Sequence, residues 1–212
     1  MTKLTPDEVG QKYADLMVEV KLRLLEVERL LAEAHAGSSK VKLVPIAEYC
    51  YLQLRRITEL VSLAILIAHN PTEAFRAGNL VGEYNPAKLL RALGKLSPAA
   101  FPQQGVIAVN PPYDRGFIAA PLHTTDVRDR LCEIYTTACD KLHAGALKSF
   151  LKRGTAYDFN EIEASTRYLA ELLGEHIIYL PDDWIAYAKL NFEAQGVTVH
   201  WYPPKVWKET SD

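Results

Sequence analysis

Arg55, Arg56 and Glu59 are the residues of this chain best spaced for polar work. On a helix, arginines four and three residues before a glutamate bring two guanidinium groups within reach of one carboxylate. Such a group serves either a ligand or catalytic site, or a network that fixes helix register. The second is the stronger expectation, because a covered ion pair must be hydrogen-bonded or it costs several kcal/mol. Asp140 and His143 form a second candidate: the carboxylate lies three residues before the imidazole, on its side of a helix, where it can orient one ring nitrogen. No nucleophile at a diagnostic spacing accompanies them, so a satisfied, semi-buried histidine leads over a catalytic one. His69 and Asn70 close a long apolar helix. They are candidates for ligand binding, and a capping role in which a protonated imidazole meets the helix dipole leads.

The remaining motifs exclude more than they suggest. His123, His143, His176 and His200 are scattered, with neither H-x-x-x-H nor H-E-x-x-H, so no metal and no cofactor is expected. There is no G-x-G-x-x-G, no G-x-x-x-x-G-K-S/T and no G-x-S-x-G. Trp184, Tyr187, Trp201 and Tyr202 could stack a base, but they lack interleaved basic residues, and sheet packing is the better expectation. The net charge is -2 over 212 residues, which argues against coating nucleic acid or an anionic membrane by bulk electrostatics. Cys50, Cys132 and Cys139 are odd in number and show no C-x-x-C spacing, so they read as small apolar residues in a reducing compartment. The opening MTKLTPDEVGQKYADL shows no basic region followed by an apolar block, so no signal peptide is expected and cytoplasm is the default location.

These residues need elements to position them. Thr5-Pro-Asp-Glu8 predicts a capped helix start, and Val9, Tyr13, Leu16, Val20, Val27, Leu31 and Ala34 continue it to Gly37. Val41 to Pro45 reads as an extended link, because Val44 precedes a proline. Ile46 to Asn70 is the central helix. From Leu60 to Ala68 only Ser62 is polar, so this half should be covered on nearly all sides. The uncharged run is far short of the ~20 residues a membrane span requires. The two long helices should form an antiparallel hairpin.

Further on, a helical turn at Thr72 to Arg76, a helix from Pro86 to Leu96 capped by Asn85, and a small β-hairpin across Gly105 to Leu122 are expected. Thr125 should cap a third long helix that reaches Leu142 or Arg153, and Asn160 should open a fourth. The period then changes to two over Ile177 to Leu180, Trp184 to Phe192 and Val197 to Tyr202. That is an antiparallel meander too small to stand alone. The fold class is therefore α+β and mainly helical. Residues 1–175 should form a helical core with the hairpin insert at 105–122, and residues 176–212 a small sheet packed on it.

The segments LQLRRITELVSLAILIAHN at 52–70 and CDKLHAG at 139–145 resemble the paired helices of uncharacterised bacterial helical proteins. More distantly they are similar to the HEPN class, whose antiparallel helices often carry an Arg and a His on one helix and dimerise there. HEPN ribonucleases carry an Arg, four to six intervening residues, then a His. Here the positions before His143 are Thr136, Thr137 and Ala138, and Arg56 and Arg130 lie too far upstream of His69 and His143. The resemblance thus implies the fold more than RNA cleavage.

The leading functional expectation is a non-catalytic interaction or regulatory protein. It would be a homodimer, with an unidentified protein as a further partner, because the long helices carry apolar stripes that a body of this size does not fully cover. One alternative is a metal-independent, HEPN-like ribonuclease gathering His143, Asp140, Arg56 and Glu59, the only reading that brings in nucleic acid. The other is a small-ligand sensor with a pocket between helices and sheet. No membrane partner is expected.

Overall fold

The computed structural model describes residues 4–37, 39–69, 80, 83, 85–96, 100–110, 114–119, 124–143, 157–180, 184–194 and 196–202. The protein is α+β and mainly helical. Its elements in chain order are α1 (Pro6–His35), α2 (Lys40–Ala68), α3 (Pro86–Leu96), β1 (Gln103–Asn110), β2 (Asp114–Ala119), α4 (Thr124–Leu142), α5 (Phe159–Gly174), β3 (Glu175–Tyr179), β4 (Ile185–Lys189) and β5 (Thr198–Tyr202). Among the described residues no helix is long and apolar enough to cross a membrane.

Local chemistry sets several boundaries as the sequence predicts. At the start of α1 the Thr5 hydroxyl accepts from the Glu8 amide, and the Glu8 carboxylate accepts from the Thr5 amide at 2.8 Å, which closes a capping box with Pro6 in the first turn. Asn85 caps α3 by accepting from the Lys88 amide at 3.1 Å. Leu89, Leu90 and Leu93 of α3 point inward and are buried.

Three boundaries differ from the expectation. Residues 41–45 are helical, so Pro45 lies inside α2 as its sixth residue. The hydrogen bond that Pro45 cannot make would go to the carbonyl of Val41, in an exposed first turn where water can take its place. Asp158, not Asn160, caps α5, accepting from the amides of Asn160 at 2.9 Å and Glu161 at 3.3 Å. α4 begins at Thr124, which places Thr125 within the helix. The expected turn at 72–76 and the continuation of α4 to Arg153 lie outside the described residues.

α2 is the centre of the helical body. α1 runs along one side of it, where the Arg23 guanidinium donates to Gln53 at 2.6 Å. α4 runs antiparallel along the other, with Tyr135 beside Arg55 and Lys141 beside Tyr51. α3 and α5 also contact α2, and Cys50, Leu54, Ile57, Val61, Ala64 and Ile65 are sealed in the core. Among the described residues no element lies over the fourth side. In the second half of α2, Leu60, Val61, Ser62, Ala64, Ile65 and Ala68 are buried as expected, while Leu63 is 43% exposed and Leu66 half-buried, so this half is covered except along one strip. Four neighbouring elements occupy the flanks and inner face, and none of them crosses the outside.

The five strands form one antiparallel sheet in the order β2-β1-β3-β4-β5. Gln103 pairs with Ile177 and Gln104 with His176, so the hairpin of β1 and β2 continues the C-terminal meander. In that meander His176, Ile178, Ala186, Ala188, Val199 and Trp201 share the face turned to the helices, a consequence of the period of two. The short side chains of Ala186 and Ala188 admit the helices closely. Ile177 and Tyr187 point to the opposite face and are buried too, so the strand centres are covered on both sides.

Candidate functional site

Glu59 accepts from both arginines on its own helix, from Nε of Arg55 at 3.0 Å and from an Nη of Arg56 at 2.7 Å. The Arg55 guanidinium also lies 6.0 Å from the centre of the Tyr135 ring on α4. The carboxylate is largely covered, whereas the Arg55 side chain is one-third and the Arg56 side chain half exposed. This is a bridge at the surface rather than a sealed network. The several-kcal/mol cost expected for breaking a buried pair does not apply to it.

The bridge sits in an open apolar stripe. Tyr49 is 44%, Leu52 39% and Leu63 43% exposed on the same outer side of α2 that carries Arg56.

His143 and Asp140 are exposed at the last turn of α4, where the His143 amide donates to the Cys139 carbonyl at 3.0 Å. Because α4 is antiparallel to α2, the His143 end lies beside Tyr51. Arg55 and Glu59 lie beside Tyr135, about 12 Å further along α4 at 1.5 Å per residue. No hydrogen bond joins His143 to Arg56 or Glu59. The four residues grouped for an RNA-cleaving site are therefore split between two places within one copy of the chain.

His69 caps its helix. Its Nδ1 lies 2.9 Å from the Ile65 carbonyl and donates to it, and the ring is fully buried. Burial lowers its pKa, opposed by backbone hydrogen bonds with Ile65 and Tyr179. The ring lies where the end of α2 meets the end of β3. Asn70 lies outside the described residues, as does His123.

Sequence reading missed three polar clusters, all joining residues far apart in the chain. In the first, Nδ1 of His176 faces the Leu173 carbonyl at 2.9 Å and Nε2 faces the Tyr13 hydroxyl at 2.6 Å. The carbonyl fixes the proton on Nδ1, so Nε2 accepts from Tyr13. Burial depresses the His176 pKa to about 4 and pushes the Tyr13 hydroxyl well up, which leaves both neutral. Trp201 meets Tyr13 edge-on, and its indole lies against Gly10, where a Cβ would be 2.6 Å from Nε1.

In the second cluster the buried ammonium of Lys21 donates to the carbonyls of Asn191, Ala194 and Gly196 in the β4–β5 turn. One signal for it was present. Lys21 lies between Met17 and Leu24 on the buried side of α1, a poor place for a solvated lysine. In the third, Tyr51 donates to the Asp158 carbonyl at 3.4 Å, Tyr157 donates to Glu48 at 2.6 Å, and Lys141 lies 3.7 Å from Glu161. Together these contacts anchor the start of α5 to α2 and α4.

Among the described residues no three His, Cys, Asp or Glu side chains converge as metal ligands would. A surface groove of about 540 Å³ runs between α1 and α5, with Leu31, Ala32, Ala170 and Phe192 as apolar lining and Glu28, Glu163 and Glu171 among its charged residues.

The chain matches no family model, no curated protein and no solved structure. The likeness to the HEPN class rests on the residues quoted above alone.

Proposed function

We propose that this chain is a non-catalytic interaction protein that acts as a homodimer through its helical body, with the outer face of α2 as its working surface. One observation carries the reading: Tyr49, Leu52 and Leu63 stand open in a row on the central helix, around an ion-paired Arg56 and Glu59. Large apolar side chains grouped on one exposed face mark association surfaces. Support also comes from where the other polar groups lie. Tyr13 and His176, whose acid–base behaviour burial changes strongly, are enclosed in packing, and each already has a hydrogen-bonded partner within the fold.

The test is mass as a function of concentration. Light scattering of the purified protein is expected to show a dimer, and replacing both Leu52 and Leu63 with Lys is expected to return it to monomer mass with its far-UV circular dichroism unchanged. A single species at monomer mass up to millimolar concentration defeats the reading.

A further inference from the structure

We infer that the two copies pair antiparallel along α2, about a twofold axis passing between Ile57 and Thr58, so that Arg56 of each copy meets Glu59 of the partner subunit. This deepens the homodimer reading and rests on it. The observation is the order of side chains on the open face. Tyr49, Leu52, Arg56, Glu59, Leu63 and Leu66 follow one another in steps of three, four, three, four and three residues. That alternation is a heptad seam, the pattern by which one helix lies along another. α1 flanks α2 on the Gln53 side and α4 on the Arg55 side, so the seam is the ridge between them.

The seam is its own complement only when reversed. Run antiparallel, Tyr49 stands opposite the partner's Leu66, Leu52 opposite the partner's Leu63, and Arg56 opposite the partner's Glu59. Each pairing occurs twice, as a twofold contact requires. Run parallel, each residue meets its own kind. Arg56 would then oppose the partner's Arg56, and Glu59 the partner's Glu59, which costs energy at both layers. A slip of one heptad in the antiparallel arrangement sets Arg56 against the partner's Leu52 or the partner's Leu66. The charged layer therefore selects both direction and register, the best-attested use of a polar layer in an apolar seam. The Glu59 carboxylate accepts one hydrogen bond on each oxygen within its own chain and has lone pairs left for a second arginine. The seam offers fewer residues than the roughly 20 to 30 a side of a standard interface. The margins of α1 and α4 must add to it, and the dimer is a weak one.

Cysteine cross-linking reads the register. In a Cys139→Ser background, Leu52→Cys and Leu63→Cys are made as separate variants, at positions exposed enough to accept cysteine without loss of the core. Mixed and mildly oxidised, the two are expected to give roughly tenfold more disulfide-linked dimer than either alone, because a disulfide needs Cα atoms within about 7 Å. In the reversed pairing, like positions lie about 16 Å apart along the axis, at 1.5 Å of rise per residue. Arg56→Glu is expected to weaken association by about a hundredfold, since it sets carboxylates opposite each other twice. If the protein is a dimer by light scattering but Leu52→Cys cross-links to itself, or the mixture yields no more than the single variants, the register is overturned and the homodimer reading survives. If the unmodified chain is a monomer throughout, both fall.

Discussion

The Tyr13 hydroxyl donates to Nε2 of His176 at 2.6 Å, joining residues 163 apart in the chain and tying α1 to β3 at the centre of the sheet. With the Leu173 carbonyl holding Nδ1, both imidazole nitrogens are satisfied, and the ring is fully buried. Tyr13→Phe removes the donor and leaves a buried lone pair without a partner. The expected cost is about 1–3 kcal/mol, read as a lower urea midpoint at unchanged m-value. An unaltered midpoint would mean that the pair is not closed in solution.

The same pair makes stability depend on pH. At pH 7 the imidazole is neutral folded and unfolded. As pH falls below the ordinary value of 6.5 the unfolded chain takes up a proton, while the folded ring, held near 4, does not. Stability contributed by the neutral ring is therefore lost between pH 6.5 and 4, with no further loss from this group below that. The loss is about 3 kcal/mol by linkage. Because carboxylates titrate in the same range, the comparison to make is with His176→Gln. Its urea midpoint should fall less steeply from pH 7 to 4.5, and equal slopes would exclude His176 as the source.

What the sequence made legible follows the range of each interaction. The Thr5 and Glu8 box and the Asn85 cap are closed within four residues, so residue type and spacing suffice to find them. Pro45 is the opposite case. The steric preference of the residue before it is real, but an exposed first turn tolerates the missing hydrogen bond, and 23 further helical residues after Pro45 outweigh a local bias. The alternation in β4 and β5 places Ala186, Ala188, Val199 and Trp201 on one face correctly, yet nothing in the chain shows that Gln103 and Gln104 will pair with β3. The candidate site divides in the same way. The bridge of Arg55, Arg56 and Glu59 is local and readable, whereas its exposure depends on where α1 and α4 come to lie. Tyr13 with His176 and Lys21 with the β4–β5 turn depend wholly on tertiary closure.

Gly10 is required by a close approach rather than by its backbone. Its missing Cβ makes room for the Trp201 indole, which stands 6.3 Å from the Tyr13 ring in an edge-on contact. Gly10→Ala favours the helix by about 1 kcal/mol in isolation. The displaced indole loses its packing, at a cost of about 1–3 kcal/mol for an overfilled site. Net destabilisation is expected, together with a red shift of tryptophan fluorescence and a weaker near-UV circular dichroism signal. A stabilised variant with an unchanged spectrum would show that Trp201 does not rest on α1.

Lys21 fastens the last hairpin to the helical body from beneath. Its ammonium donates to three carbonyls of the β4–β5 turn, in which Asn191 adopts a positive φ of 48° and Gly196 one of 96°. Residues 191–197 of the turn contain no lysine or arginine. Lys21→Met keeps the aliphatic stem among Val20, Leu24 and their neighbours and removes only the charge and its donors. Hydrogen bonds to a charged group are worth about 1.5–3 kcal/mol each, and the carbonyls can recover part of that from water once the turn opens, so a loss of about 2–3 kcal/mol is expected. Lys21→Arg should not rescue it, because a planar fork cannot direct its donors at three converging carbonyls as an ammonium does. Hydrogen exchange should locate the effect: amides of Val197 to Tyr202 lose protection in Lys21→Met, while those at the centre of α2 keep theirs until global unfolding. Equal loss of protection in both places would make Lys21 a contributor to the whole core rather than the fastening of this turn.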